Sequence, residues 1–169
     1  VCILIRKDLR YHLVDVGATE AECLCVAVTI GNRRVAVCAA YRNNVADVVA
    51  LESYRSILTE LSKLSVPSLI VGDFNLPNVC WQTLQAPARF KQDKFLGMFL
   101  ELGFMQYVTE PTRGDVILDL LFCNDPTLIS YTNVCPPVGT SDHRAVVSSL
   151  NLAASPTPVR RDSFCWRKA

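Results

Sequence analysis

Residues 23–41, CLCVAVTIGNRRVAVCAAY, constrain the fold more than any other stretch of the chain. Two apolar runs flank Gly31-Asn32, a dipeptide suited to the left-handed backbone of a two-residue hairpin turn, so the runs pair antiparallel. In the first run Leu24, Val26, Val28 and Ile30 share one face and Cys23, Cys25, Ala27 and Thr29 the other. Neither face is strongly polar, which places the strand inside a sheet covered on both sides. From about Ala46 to Lys63, Leu51, Tyr54, Leu58 and Leu61 recur as a helical stripe, with Asn44 as N-cap and Asp47 in the first turn. This helix leads to the apolar run SLIVGD at 68–73. Strands alternating with helices indicate an α/β domain, and the hairpin makes its sheet mixed.

A second helix is expected from about Phe90 to Leu102, with Phe95, Phe99 and Leu102 on one side and a stop at Gly103. Further strands are expected at the apolar start, VCILI, and at 104–109, 116–123, 128–134 and 144–152. The last stretch, 153–169, has two prolines and a basic cluster and is read as a linker or tail. With 169 residues, half of them apolar, residues 1–152 are expected to form one domain. Seventeen Lys and Arg against sixteen Asp and Glu leave a net charge of +1, so no global field selects a nucleic acid or a membrane. No apolar run reaches the roughly 18 residues of a spanning helix. The expectation is a soluble intracellular protein, nuclear or cytoplasmic, with no membrane partner. The eight cysteines lie scattered in mostly apolar runs without a C-x-x-C pair, and are read as reduced core thiols. Cys23 and Cys25 share a face but have no nearby His or further Cys to complete a zinc site.

Chemistry enters where apolar strands deliver polar residues. The run LIVGDFN carries Asp73 just past the carboxyl end of a strand, with Asn75 two residues on, and strand ends of that kind gather ligands in α/β sheets. A plain turn built by the same two residue types is the competing reading. In VILDLLF, Asp119 shares a face with Ile117, Leu121 and Cys123, so it is expected to be partly buried and to need a cation or donor. The chain has two histidines. His143 follows Ser141 and Asp142 at the irregular entry to the last strand, whereas His12 reads as an ordinary surface or half-buried residue. An Asp–His pair beside a second Asp suits an imidazole oriented near developing negative charge. A remaining carboxylate suits a hard cation.

GDFN at 72–75, LDLLF at 118–122 and SDH at 141–143, in that order, resemble the endonuclease/exonuclease/phosphatase superfamily. PTR at 111–113 makes the chain similar to endonuclease domains of LINE-type non-LTR retrotransposons, over about residues 1–152. FCWRKA, at the chain end, is similar to the start of a connector leading to a reverse transcriptase. The resemblance implies a four-layer α/β sandwich of two mixed sheets flanked by helices, cleaving a phosphodiester of DNA with Mg²⁺ or Mn²⁺. Asp73 would orient or deprotonate water, with Asn75 holding that water or the phosphate. His143, oriented by Asp119, would stabilise charge on the phosphoryl oxygens. Tyr41 in AAYRNN would contact phosphate, with Asn43 and Asn44 departing from the commoner YRPP-like pattern. Asp142 would be a metal ligand, and Ser141 and Arg113 would support substrate.

The family's domain normally opens with one strand bearing an Asn and a second bearing a Glu that is a principal metal ligand. VCILIRKDL resembles the segment after both, so the chain reads as incomplete at the N-terminus, and motif order does not promote Glu20 or Glu22 to that role. Arg42, Arg89, Lys91, Lys94 and Arg113 flank the expected site loops, as DNA-phosphate contacts or as plain surface charge. Three functions stay open: a DNA-nicking endonuclease, a non-catalytic remnant, and a phosphatase or phosphodiesterase of the same superfamily.

Overall fold

The computed structural model describes residues 1–17, 19–43, 47–87 and 92–152. Asn44, Arg89, Lys91 and the tail at 153–169 lie outside them. Ten elements follow in chain order: β1 (Arg10–Leu13), β2 (Glu22–Ile30), β3 (Arg33–Tyr41), α1 (Asp47–Lys63), β4 (Ser68–Asp73), α2 (Gln92–Glu101), β5 (Met105–Gln106), β6 (Asp119–Cys123), β7 (Ile129–Pro137) and β8 (Arg144–Leu150). Six strands form a mixed sheet in the order β1-β2-β3-β4-β6-β5, and β7 and β8 form a second, antiparallel sheet. Only β3 and β4 run parallel, because α1 carries the chain back between them.

The hairpin forms as its turn chemistry demands. Gly31 has φ 62°, and Ile30 stands opposite Arg33. That register sets Cys25 opposite Cys38, with Cα atoms 4.1 Å apart, and the two are joined as a disulfide. The expectation of reduced thiols throughout is overturned at this pair; Cys2, Cys23, Cys80, Cys123 and Cys135 are free. Cys23 completes a group of three sulfurs within 4.8 Å of one another, since folding brings Cys38 in from the next strand. The apolar start forms no strand. Leu4 is 95% exposed, so this run does not join the core; the edge strand is β1, whose four residues are all exposed, His12 among them.

One face of the large sheet carries the two helices. Tyr54, Ile57, Leu58 and Leu61 of α1 and Phe95, Leu96, Met98 and Phe99 of α2 bury against Ala36, Cys38, Ala40, Ile70, Leu120 and Phe122. Phe99 stacks on Phe122 with ring centroids 3.9 Å apart, and Phe74 meets Phe122 edge-on at 5.4 Å. Each such buried side chain contributes about 1.5–3 kcal/mol. Gly103 ends α2 with φ 78°, and the Phe104 N–H donates to Phe99 O at 2.8 Å, closing the helix end as expected. The opposite face, with Val35, Val37, Leu69, Val71, Leu121 and Cys123, packs on Ile129, Val134, Val146 and Leu150 of the second sheet. No helix among the described residues is long and apolar enough to cross a membrane.

Candidate active site

The pleat of the large sheet lines up the expected residues. Tyr41 stands opposite Asp73 in the parallel pairing of β3 and β4, and Asp73 stands opposite Asp119 in the antiparallel pairing of β4 and β6. Each side chain continues the face of its strand that packs on the second sheet: Val37 before Tyr41, Val71 before Asp73, Leu121 after Asp119. Glu22 extends the row, opposite Tyr41 on β2. Sequence motifs gave no signal for it, whereas the hairpin register does.

His143 comes from the second sheet, just ahead of β8. Its Nδ1 lies 2.8 Å from Asp119 Oδ2, with both side chains partly buried at 22% and 25% exposure. This is the partner that Asp119 was expected to need. An ionised carboxylate only accepts, so Nδ1 carries the hydrogen and Nε2 is left for a ligand. The His143 N–H donates to Ser141 Oγ at 3.1 Å, so the exposed Ser141 hydroxyl shapes the turn that presents the imidazole.

Thr112, within the PTR motif, ties the two sheets together. Its fully buried Oγ1 accepts from the N–H groups of Leu118 and Asp119, each at 3.0 Å, and its carbonyl accepts the Arg144 N–H at 2.7 Å. One residue thus fixes the backbone on both sides of the Asp119–His143 pair. The motif pointed at the tripeptide, but nothing in its spacing showed which groups the hydroxyl would serve.

The turn after β4 is bound internally. Asp73 Oδ1 accepts from the Asn75 N–H at 3.1 Å, and Asn75 Nδ2 donates to Arg42 O at 2.9 Å. The turn reading of these residues is therefore realised, with both held at the end of β4. Burial raises the pKa of Asp73, the Asn75 N–H opposes this, the Asp119 charge raises it further, and His143 and Arg113 act downward.

The basic residues divide. Arg42 is 3% exposed and hydrogen-bonds to main-chain carbonyls, which corrects its reading as a DNA-phosphate contact. Lys94 is exposed on α2. Arg113 is exposed, and its Nη2 lies 2.7 Å from Asp142 Oδ2. Asp142 and Arg113, expected on metal and on substrate, thus hold each other.

Magnesium is commonly held by one or two carboxylates, with substrate phosphates and water completing the shell. Among the described residues the one converging group of three ligand-type side chains is the sulfur trio of Cys23, Cys25 and Cys38, and with Cys25 and Cys38 joined as a disulfide it offers a single thiol. A Mg²⁺ or Mn²⁺ ion held by the exposed Asp142 would need substrate oxygens and water to complete its shell.

A mixed sheet and a second sheet closing over a row of acids, with an Asp–His pair bridging them, define the architecture of the endonuclease/exonuclease/phosphatase superfamily. Residues 35–147 match the endonuclease-reverse transcriptase family, and the chain belongs to it. Among solved structures, it is similar to the endonuclease domain of TRAS1, a telomere-specific non-LTR retrotransposon, with 19% identity and a TM-score of 0.71, covering 89% of this chain and 72% of that one. It also resembles a mannosyl-6-phosphatase of Bacteroides thetaiotaomicron, with 14% identity, a TM-score of 0.57 and coverage of 77% and 57%. The beta toxin of Staphylococcus aureus matches at 11% identity and a TM-score of 0.55, with coverage of 76% and 56%. At these identities the likeness is one of fold. No curated protein sequence matches the chain.

Proposed function

We propose that this chain carries the hydrolytic site of a DNA-nicking endonuclease, of the kind that opens a target for a non-LTR retrotransposon, with a reverse transcriptase as its fused partner. The observation that carries the proposal is the row of Tyr41, Asp73 and Asp119 with His143 Nδ1 2.8 Å from Asp119. In this reading Asp73 orients the attacking water and takes its proton, a task that its raised pKa favours near neutral pH. Asn75 holds the water or a phosphoryl oxygen. His143, fixed by Asp119, presents Nε2 to the phosphate as charge develops there. Tyr41, Ser141 and Arg113 contact the flanking backbone of the DNA. Mg²⁺ or Mn²⁺ on Asp142 would supply charge neutralisation at the phosphate.

The pairing of Asp142 with Arg113 favours a second reading, a fold that keeps the motifs without turnover. Nicking of a supercoiled plasmid separates the two. The nuclease reading expects relaxation that requires Mg²⁺, stops with EDTA and falls at least about 100-fold in His143→Ala. A folded chain that leaves the plasmid intact at every metal concentration sinks it and leaves the second reading standing.

A further inference from the structure

Arg42 is a buried cation beside the site, with contacts to the turn that carries Asp73 and Asn75 and to the helix behind it. Its Nη1 donates to Phe74 O at 3.2 Å and to Asn75 O at 3.1 Å. The guanidinium carbon lies 4.6 Å over the centre of the Phe95 ring of α2. Its main chain joins the same turn from the other side: the Arg42 N–H donates to Asp73 O at 2.9 Å, and its carbonyl accepts from Asn75 Nδ2 at 2.9 Å. Asn75 meanwhile has φ 48°, in the left-handed region that Asn enters more readily than other residues with a Cβ.

We infer that Arg42 is a positioning residue: its guanidinium bridges the Phe74 and Asn75 carbonyls while resting on Phe95, and so holds the left-handed turn that aims Asp73 and the Asn75 carboxamide. A planar cation is needed for both contacts at once. Nη1 alone donates to both carbonyls while the flat guanidinium face lies on the ring, and that stacked face is what the compact ammonium of a lysine does not reproduce. Carbonyl oxygens replace water at Nη1, which offsets part of the cost of burying the cation. What the turn is positioned to do rests on the phosphodiester reading above. That Arg42 holds it does not.

The test compares Arg42→Met, Arg42→Lys and the unaltered chain by native-state amide exchange and by plasmid nicking. Arg42→Met keeps the apolar stem and removes the donors. The Asn75 N–H, which donates to Asp73 Oδ1, is expected to exchange about 10-fold faster in Arg42→Met, beyond any increase shared by the amides of β2 and β3. In the same variant kcat is expected to fall about 10- to 100-fold while KM for DNA stays within about twofold. Arg42→Lys is expected to recover the exchange of β2 and β3 but not that of Asn75. Exchange at Asn75 that merely tracks the whole sheet overturns the inference. So does a raised KM with kcat intact, which would return Arg42 to DNA contact. Should Arg42→Met not fold, the Asn75 readout in Arg42→Lys decides. If the unaltered chain does not nick, the nuclease reading fails while exchange still decides the role of Arg42.

Discussion

At Asp73, burial and the facing Asp119 carboxylate both disfavour the charged form, so the folded pKa stands above its ordinary value of 3.8. Stability linked to this group is then fully present below the ordinary carboxylate range. It is lost as pH rises through the folded pKa, because the folded state binds the extra proton. Asp73→Asn keeps the side-chain oxygen that accepts from Asn75 and removes the charge. Thermal denaturation is expected to find this variant slightly more stable than the parent at pH 7, while nicking is lost. The gain should vanish below the ordinary carboxylate range, and an advantage independent of pH would refute the assignment. Some residues of the site were legible for a local reason. Asp73 ends an apolar strand, and Asp119 interrupts an apolar face. Arg42 was not legible, because its burial depends on Phe95, far along the chain, and on carbonyls of the turn after β4.

Among the elements, β4 and α2 use glycine for opposite reasons. Gly72 has φ 150°, and a Cβ there would meet Ala40 O at 1.7 Å. The close approach brings β3 and β4 together one residue before Asp73. Gly97 lies within α2, where a Cβ would meet nothing within 4 Å. Gly97→Ala is therefore expected to stabilise the fold by about 1 kcal/mol through helix propensity alone. Gly72→Ala is expected to cost about 2–3 kcal/mol, from steric conflict and backbone strain. Denaturant titration of the two variants tests both signs. Elements with local signals were readable: the Gly-Asn hairpin, the α1 stripe and the glycine stop of α2. The β1 strand was not, since Tyr11 and Leu13 alternate with Arg10 and His12 over only four residues, all exposed, and the strand finds its place by pairing with β2. Strand β5 shrank from the expected 104–109 to Met105–Gln106, with one further bond to β6 from the Tyr107 N–H to Leu121 O at 2.9 Å, after which the Val108 N–H donates to the Gln106 side chain instead. The Cys25–Cys38 pair was readable in principle, by counting back from the hairpin turn.

On the scale of the whole molecule, the site straddles two bodies of unequal strength. The large sheet has six strands and a helix layer, while β7 and β8 pair only with each other among the described residues. A two-stranded sheet is marginal by itself, and a cavity of about 470 Å³ lies along the seam, lined by Val71, Gly72, Asp119, Arg144 and Val146 among others. Native-state hydrogen exchange is expected to show β7 and β8 opening at least about 2 kcal/mol below β2, β3 and β4. Equal protection across both sheets would mean that they unfold as one unit. Local opening of the small sheet would withdraw His143 from Asp119 while the acids stay in place.

Tyr41, Asp73 and Asp119 owe their common direction to the pairing frame of three strands rather than to any contact among them. A single residue inserted into or deleted from β3, β4 or β6 would turn every side chain beyond it to the opposite face. The acid would then point toward the helices. Length changes at the turns between these strands leave the frame intact. Where copies of such a chain accumulate insertions and deletions, those inside the three strands silence the chemistry at once, and those in the loops are free to reshape what the site meets.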